Sequence, residues 1–406
     1  MSRPHDKLLT LTKLLAGALV AGGVALLCCL PAATGATASP VAAVKVIASG
    51  LDQPKKVSLT ADGDLLVALS GDGAAPRTCT DGDQVSCTDR SGAIDELSPN
   101  GHVSTLLRGL SSVSSGGSDG QATGPAQALA AGNSLQVLFQ GSVIDPKTGR
   151  QVYGSAGSQL EKLIRFSAGG AFKVEADLGR FEARHDSVQD AGTEVKYGQS
   201  PIDSDPYSIV AYRGGYAIAD AGANDLLFVS PRGKISVLAA FPTIREWAPA
   251  GSFGSGQKHA IEAQAQAVPT AVVVGPDGAL YVGELGGIPY AVGRSVVYRV
   301  LPGHPPTVYA GGLTAIADIA FDSRGRLLVL EIDRKGLNDP GFDTGRPTSG
   351  VLLRIARNGV RQTLISTGLI YPTGIAVRGN TVYVSDYGVS SADVGDGGEI
   401  LQVTLR

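Results

Sequence analysis

Four stretches of the chain end in an acidic residue where an apolar run meets a turn. They read GYAIADAG, ALYVGELGG, RLLVLEID and TVYVSDYG, and their acids are Asp220, Glu284, Glu331 and Asp386. Carboxylate oxygens are the ligands that hard cations such as calcium prefer. Several carboxylates that converge need a counter-ion or raised pKa values. These acids therefore predict a divalent cation or a polar ligand.

A simpler role for each acid is structural. Short acidic side chains often accept hydrogen bonds from backbone N–H groups in the turn that follows a strand. One acid can cap its own turn, whereas several acids at equivalent positions can also share an ion. The sequence alone leaves both roles open.

The acids recur because the chain repeats a unit of four short strands. The first strand begins near a proline and ends in a tight turn, as in QPKKVSLTADG, VPTAVVVGPDG and YPTGIAVRGN. The second strand follows at once, the third comes after a loop of variable length, and the fourth follows another tight turn. Six copies of the first three strands are present, but only five fourth strands follow a third strand.

The missing fourth strand lies near the N-terminus. AVKVIASGL, residues 43–51, has the pattern of the other fourth strands and would complete the unit that ends in GEILQVTLR. Six four-stranded units closed in this way predict an all-β fold, a six-bladed β-propeller. We assign residues 39–406 to this single domain, because closure of the ring removes its free edges.

The connections give the predicted propeller two different faces. The turns between first and second strands and between third and fourth strands are tight, and both lie on one face because strands within a blade alternate in direction. The opposite, long-loop face carries the long connections, which include 71–91, 141–158, 181–205 and 243–267. Long loops in compact domains are usually functional. We therefore expect function at the channel mouth on this face.

The propeller would bring the acids to this face, at the ends of the second strands, and the starts of the first strands add further polar side chains. From these positions we predict two overlapping sets of site residues. The predicted ligand-binding residues are Tyr207, Thr270, Glu284, Asp318, Glu331 and Thr373. The predicted metal ligands, with calcium as the ion, are Asp220, Glu284, Asp318, Glu331 and Asp386.

The sequence contains no complete set of catalytic residues of a familiar kind. The G-x-S-x-G and H-E-x-x-H patterns are absent. His185 and His259 lie in predicted long connections and are the remaining candidates for a general base. Whether the protein is an enzyme is therefore left open.

Residues 1–38 have the pattern of a secretory signal peptide. Arg3, Lys7 and Lys13 flank the start of an apolar run over 14–30, and ATA ends at Ala38 like a signal-peptidase site. We predict cleavage near Ala38 and a secreted or extracytoplasmic protein, with an uncleaved anchor as the alternative. Cys79 and Cys87 then remain, and in an oxidising compartment they predict a disulfide.

The charge balance argues against a nucleic-acid partner. The chain has 34 Lys and Arg residues against 37 Asp and Glu residues, with no basic cluster. Beyond residue 38 no apolar run is long enough to span a membrane. We expect a monomer whose partner is a small molecule or an extracellular protein.

The chain closely resembles the ScyD/ScyE family of exported six-bladed β-propellers. The likeness is tightest from Ser204 to Ile332, where SDPYSIVAYRGGYAIADAGANDLLFVSPRG and VPTAVVVGPDGALYVGELGGIPY occur, and it extends over essentially all of 39–406. It implies the propeller fold but no particular activity, since most members of the family have none assigned. The chain departs from the family pattern at Lys55 and Lys56, where Arg-Gly is usual, and at Gln127, where aspartate is common.

The architecture is more distantly similar to NHL-repeat and SMP-30-like propellers, some of which hold a divalent metal and open lactones. That resemblance implies a metal-dependent lactonase, in which the cation polarises a carbonyl. At the matching strand starts this chain offers Thr270, Asp318 and Thr373, of which only one is a carboxylate. Our leading prediction is a propeller that binds a ligand at the channel mouth. The lactonase and a protein-interaction scaffold are the alternatives.

Overall fold

The computed structural model describes residues 39–71, 78–79, 86–115, 121–141, 144–145, 150–151, 153–185, 202–253, 256–338, 350–389 and 397–406. In these residues the chain forms thirty β-strands and one α-helix. Six antiparallel sheets contain most of the strands, and each sheet contains four consecutive strands of the repeat. Their first strands contact one another in a closed ring. The fold is the predicted six-bladed β-propeller.

The blades are numbered here in chain order of their first strands. The first three blades consist of Pro54–Leu59, Leu65–Leu69, Ser86–Leu97 and Val103–Ser115 (blade 1), Pro125–Ala131, Ser134–Phe139, Lys162–Ser167 and Phe172–Asp177 (blade 2), and Pro206–Tyr212, Gly215–Asp220, Asp225–Val229 and Ile235–Ala240 (blade 3). The other three consist of Pro269–Val274, Leu280–Glu284, Ser295–Val300 and Thr307–Leu313 (blade 4), Ile316–Phe321, Leu327–Glu331, Val351–Ile355 and Arg361–Ile365 (blade 5), and Gly374–Arg378, Thr381–Asp386, Gly398–Leu405 and Val41–Leu51 (blade 6).

The ring is closed by the N-terminal strand. Val41–Leu51 pairs antiparallel with Gly398–Leu405, and Val44 lies opposite Val403 in the register. The strand of residues 43–51 is thus confirmed as the fourth strand of the last blade. Pairing the two ends of the domain leaves no open gap in the ring.

The remaining strands are short and lie in the connections. Thr78–Cys79 and Ala122–Thr123 extend the sheet of blade 1. Two separate hairpins are formed by Ile144–Asp145 with Arg150–Gln151 and by Ile244–Ala248 with Ile261–Ala265. The second hairpin occupies much of the predicted 243–267 connection.

The core consists of six apolar clusters, and each of them joins two neighbouring blades. Between blades 5 and 6, for example, Leu330 and Leu352 pack with Val384 and Leu401. The second strands contribute to clusters on both of their faces, so Leu65–Leu69 is buried at every position. This double burial explains the continuous apolar runs of the sequence. It also makes an acid at the last position of such a strand unusual.

One helix was not expected from the sequence. Leu178–His185 follows the fourth strand of blade 2 and buries Leu178 and Glu182. Asp177 caps its start, because its carboxylate accepts a hydrogen bond from the Arg180 backbone N–H at 3.1 Å. Eight residues are too few to show a clear helical period, which explains why the pattern did not reveal it.

Across the described ranges, the chain contains no helix that is long and apolar enough to span a membrane.

Candidate functional site

The four acids occupy the predicted positions, at the last residue of the second strands of blades 3 to 6. All four are buried. Asp220 is the most heavily bonded, because it accepts hydrogen bonds from Ser204 Oγ at 2.7 Å, from the Asp205 N–H at 2.7 Å and from the Ala223 N–H at 3.2 Å. Burial raises its pKa to about 6, and these bonds oppose the rise.

Two of the other acids make a similar contact. Glu331 accepts a hydrogen bond from the Thr314 N–H at 2.9 Å, and Asp386 accepts one from the Ile370 N–H at 2.8 Å. In each case the donor belongs to the segment that leads into the same blade. These acids therefore fasten the connections between blades, as the structural role predicts.

Glu284 differs from its three counterparts. Only 1 % of its surface is exposed, and neither carboxylate oxygen has a hydrogen bond of good geometry within the described part of the chain. Burial raises its pKa to about 8; the nearby Val296 N–H opposes the rise, and Glu246 adds to it. A pKa of about 8 means that the protonated form of Glu284 predominates at pH 7.

The five predicted metal ligands lie apart from one another. Among the side chains that the structure describes, no three His, Cys, Asp or Glu residues come close enough together to hold a metal ion. Asp220, Glu331 and Asp386 accept hydrogen bonds from the segment that leads into their own blade, whereas Asp318 pairs with Lys56 of blade 1 and accepts the Ile375 N–H of blade 6. The arrangement does not fit a single calcium ion bound by this set.

The predicted threonines link neighbouring blades. Thr270 Oγ1 of blade 4 donates a hydrogen bond to the Ile316 carbonyl of blade 5 at 2.5 Å. Thr373 Oγ1, just before the first strand of blade 6, donates to the Pro54 carbonyl of blade 1 at 2.6 Å. Both hydroxyls are therefore used in holding the ring together.

A second set of inter-blade bonds runs in the same direction around the channel. In each, a side chain on one first strand accepts a hydrogen bond from the backbone N–H of the next first strand. The bonds are Gln127 with Ile209 at 2.8 Å, Ser208 with Val272 at 3.2 Å, and Asp318 with Ile375 at 2.8 Å.

Lys56 spans the channel between blades that are not neighbours. Its Nζ lies 2.9 Å from Asp318 Oδ1 of blade 5 and donates a hydrogen bond to the Ala317 carbonyl at 2.5 Å. The same nitrogen lies 5.2 Å from the centre of the Tyr207 ring of blade 3, within cation–π range. Burial lowers the pKa of Lys56 and raises that of Asp318, and the attraction between the two groups opposes both shifts.

A cavity of about 430 Å³ lies at the channel mouth on the long-loop face. We call this cavity the cup. Its polar lining includes Lys55, Gln140, Asp205, Tyr207 and Thr270. These residues come from the starts of first strands and from the segments beside them.

The rest of the cup is largely apolar. Leu285, Tyr290, Ile332, Leu337 and Val389 contribute to its lining. They follow the second strands of blades 4, 5 and 6, so they rise from the ring on the long-loop side. The cup thus combines a polar group of side chains with an apolar wall, as small-molecule sites commonly do.

Two titratable groups of the cup have pKa values close to neutral pH. Burial lowers the pKa of Lys55 to about 8, and Asp205 opposes this shift. Burial, together with Asp220, raises the pKa of Asp205 to about 7, while the Gly141 N–H and Lys55 oppose that rise. An amine and a carboxyl that both change charge near pH 7 can exchange protons with a bound molecule.

The predicted ligand-binding residues separate into two groups in the structure. Tyr207 and Thr270 line the cup, whereas the other four are not part of its described lining: Glu284, Asp318, Glu331 and Thr373. Lys55 and Asp205 were not predicted as site residues. The signal available in the sequence is that two lysines, Lys55 and Lys56, follow Pro54 at the start of a largely buried first strand.

The two histidines considered from sequence lie outside the cup. His185 is exposed, stacks on Phe181 with ring centres 4.1 Å apart, and its Nδ1 lies 2.9 Å from the Phe181 carbonyl. His259 is exposed as well. Neither lies in the described lining of the cup, so the geometry does not support them as its general base.

No protein-family model matches the chain, and no curated protein matches it. Solved structures with a similar arrangement include streptogramin B lyase, with 14% identity, a TM-score of 0.44 and coverage of 90% of this chain and 98% of the lyase. Virginiamycin B lyase of Staphylococcus aureus has 13% identity and a TM-score of 0.43, covering 90% and 99%. The PQQ-bound aldose sugar dehydrogenase of Streptomyces coelicolor has 12% identity and a TM-score of 0.47, covering 90% and 98%. Likenesses at this level do not bear on activity.

Proposed function

We propose that the protein binds a small molecule in the cup. The observation that carries this proposal is the presence of Lys55 and Asp205 in one apolar-walled cavity of about 430 Å³. That volume lies within the range of about 300–1,000 Å³ that is usual for small-molecule sites. Lys55 and Asp205 form no ion pair with each other within 4.0 Å, so both can serve a ligand.

The lining suggests how a ligand would be recognised. Leu285, Leu337 and Val389 would bury its hydrocarbon part. The Lys55 amine would donate a hydrogen bond to a carbonyl or carboxylate oxygen, and Asp205 would accept one from a hydroxyl or amine. Burial raises the pKa of Tyr207, so its hydroxyl stays a neutral donor.

We expect small fragments with a carbonyl or carboxylate group to bind in the cup. The experiment is a crystallographic soak of such fragments into protein that begins at residue 39. A variant with Leu337→Trp and Val389→Trp should fill the cup and reduce the affinity of the fragments at least about tenfold, because it removes the space that they occupy.

A matched variant controls for the added indole. Val308 is 61 % exposed on the outer strand of blade 4, so Val308→Trp adds the same side chain away from the cup. Its fragment affinities should equal those of the unmodified protein. Fragments that occupy only other surfaces, or that bind equally well after the cup is filled, would show that the cup is not the binding site.

We also propose export, with cleavage near Ala38, and a Cys79–Cys87 disulfide. The two cysteines are directly opposed in an antiparallel pair, which brings their Cα atoms to a separation that a disulfide can bridge. We expect exported protein to begin at residue 39. Reduction should increase its mass by that of two hydrogen atoms, as measured by intact-protein mass spectrometry. A mass that is unchanged by the reductant would contradict the disulfide.

Membership of the ScyD/ScyE family stays a prediction from sequence, as do calcium binding, the lactonase and the interaction scaffold. The proposed binding does not depend on a metal, because the polar side chains that line the cup carry one amine, two phenols, three amides, two hydroxyls and only one carboxyl. A lactonase would require turnover that a chelator abolishes and one divalent ion restores. A scaffold would lose its partner on shortening of the 243–267 connection.

A further inference from the structure

Lys55 is a buried amine that faces a cavity. Only 3 % of its surface is exposed, and its side chain lines the cup. Its Nζ donates a hydrogen bond to the Gly388 carbonyl at 2.7 Å. Among the described residues it has no carboxylate within 4.0 Å, so two of its three N–H groups remain for a bound molecule.

Lys56, the next residue, provides a comparison within the same strand. It is equally buried, but its Nζ is held between Asp318 and the Ala317 carbonyl, and it does not line the cup. The ammonium form of Lys56 is stabilised by that carboxylate. The two neighbouring lysines thus have different surroundings: Lys56 is a structural ion, and Lys55 is an amine with a cavity in front of it.

Asp205 supplies the second group that amine chemistry requires. It lines the same cavity as Lys55 and is half-buried, so one side of it faces the space that a ligand would fill. The Gly141 N–H contacts its Oδ1 at 3.3 Å and holds the carboxyl in place. A carboxyl positioned in this way can deliver a proton to a reacting oxygen and take one back.

We infer that Lys55 is a nucleophile that forms an imine with an aldehyde or ketone bound in the cup, with Asp205 as the proton donor. This inference rests on the proposed binding function and names its substrate class as carbonyl compounds with an apolar chain. An amine in a partly apolar cavity is the usual setting for such a nucleophile.

The reaction balances without any further reagent. The lone pair of the Lys55 nitrogen forms a bond to the carbonyl carbon as the C=O π bond breaks. The oxygen takes a proton from Asp205 and the nitrogen returns one to it, which gives a carbinolamine. Asp205 then protonates that hydroxyl, which leaves as water while the C=N bond forms. The two protons lost from the Lys55 amine replace those delivered, so the products are the imine and one water molecule.

The electrostatics of the cup favour this chemistry. Burial lowers the pKa of Lys55 to about 8. At pH 7 the neutral, reactive amine is then about two hundredfold more populated than for a lysine with the ordinary pKa of about 10.4. Burial also raises the pKa of Asp205 to about 7, so a large part of this acid carries the proton that it must deliver.

The test is reductive trapping of the imine in unmodified protein that begins at residue 39. Butanal and sodium cyanoborohydride are added at pH 7, and peptide mass mapping measures the rate of alkylation at each lysine. We expect Lys55 to be alkylated at least about tenfold faster than the exposed Lys45 and Lys234. Lys56 should remain unmodified. Modification of the exposed lysines alone, with Lys55 intact, would overturn the inference.

Two variants show whether the modification takes place in the cup. The Leu337→Trp, Val389→Trp variant should slow alkylation of Lys55 at least about tenfold while leaving Lys234 unchanged, because it fills the space in front of the amine. Asp205→Asn should also slow it, since an amide cannot deliver the proton. An unchanged rate at Lys55 in the filled variant would mean that the amine reacts from elsewhere. If fragments bind in the cup but Lys55 does not react, the imine inference is rejected and the proposed binding function is unaffected.

Discussion

Replacing Asp318 with alanine is expected to lower the free energy of unfolding by about 3–5 kcal/mol. The substitution leaves the Lys56 ammonium without its carboxylate in a place where only 1 % of the lysine surface is exposed. It also removes the acceptor of the Ile375 N–H, which lies 2.8 Å from Asp318 Oδ2. Removing one partner of a buried pair costs more than the pair contributes, because the remaining charge stays desolvated.

Denaturant unfolding of protein that begins at residue 39 measures this effect. The double variant Lys56→Met, Asp318→Leu should recover much of the loss, because it removes both charges and fills the channel with apolar groups. Glu262→Ala is the matched control. Its pair with Arg245 at 3.5 Å is exposed on both sides, so the loss should be at most about 1 kcal/mol. Equal losses for Asp318→Ala and Glu262→Ala would refute the role of Lys56 and Asp318 as a buried link across the channel.

Glu284→Gln is expected to stabilise the protein, and to do so more strongly as the pH rises from 5 to 8. Both oxygens of the Glu284 carboxyl lack a hydrogen bond of good geometry, and burial raises its pKa to about 8 from an ordinary 4.5. Between these two values the folded state holds a proton that the unfolded state has released. Stability due to this group is therefore full below pH 4.5 and is lost as the pH rises to 8.

A glutamine at position 284 cannot ionise, so it avoids that loss. Each pH unit between the two pKa values corresponds to about 1.4 kcal/mol, so the gain should be small at pH 5 and reach several kcal/mol at pH 8. The measurement is a set of denaturant unfolding curves at several pH values. Glu331→Gln is the matched control, and we expect a smaller gain because Glu331 already accepts the Thr314 N–H at 2.9 Å. A loss of stability that is equal at every pH would show that the folded protein holds Glu284 ionised.

Both predictions come from side chains that the sequence analysis had assigned to a ligand or a metal. In the structure Asp318 pairs with Lys56, and Thr270 and Thr373 donate to the carbonyl groups of neighbouring blades. Polar residues at the starts of first strands therefore join the blades to one another. Tyr207 has two roles. Its ring contacts Lys56 in the channel, and its side chain also lines the cup.

The sequence by itself determined the fold. The order of strands repeats, so it could be aligned against itself, and the pairing of Val41–Leu51 with Gly398–Leu405 followed from a strand that was missing in one repeat. The repeat also determined the position of each acid within its blade, since Asp220, Glu284, Glu331 and Asp386 all end second strands. These features depend on local strand patterns and on the tight turns between them, which short stretches of sequence specify.

Only the tertiary structure decided what those side chains contact. Equivalent positions in a repeat share a place on the ring, but their partners come from neighbouring or facing blades that are far away in the chain. Lys56 meets Asp318 across the channel, and Lys55 and Asp205 line one cup although they belong to blade 1 and to the segment before blade 3. The length and direction of a side chain decide such contacts, as does the burial that shifts its pKa. These properties arise when the six blades pack together, and the pattern within one blade does not contain them.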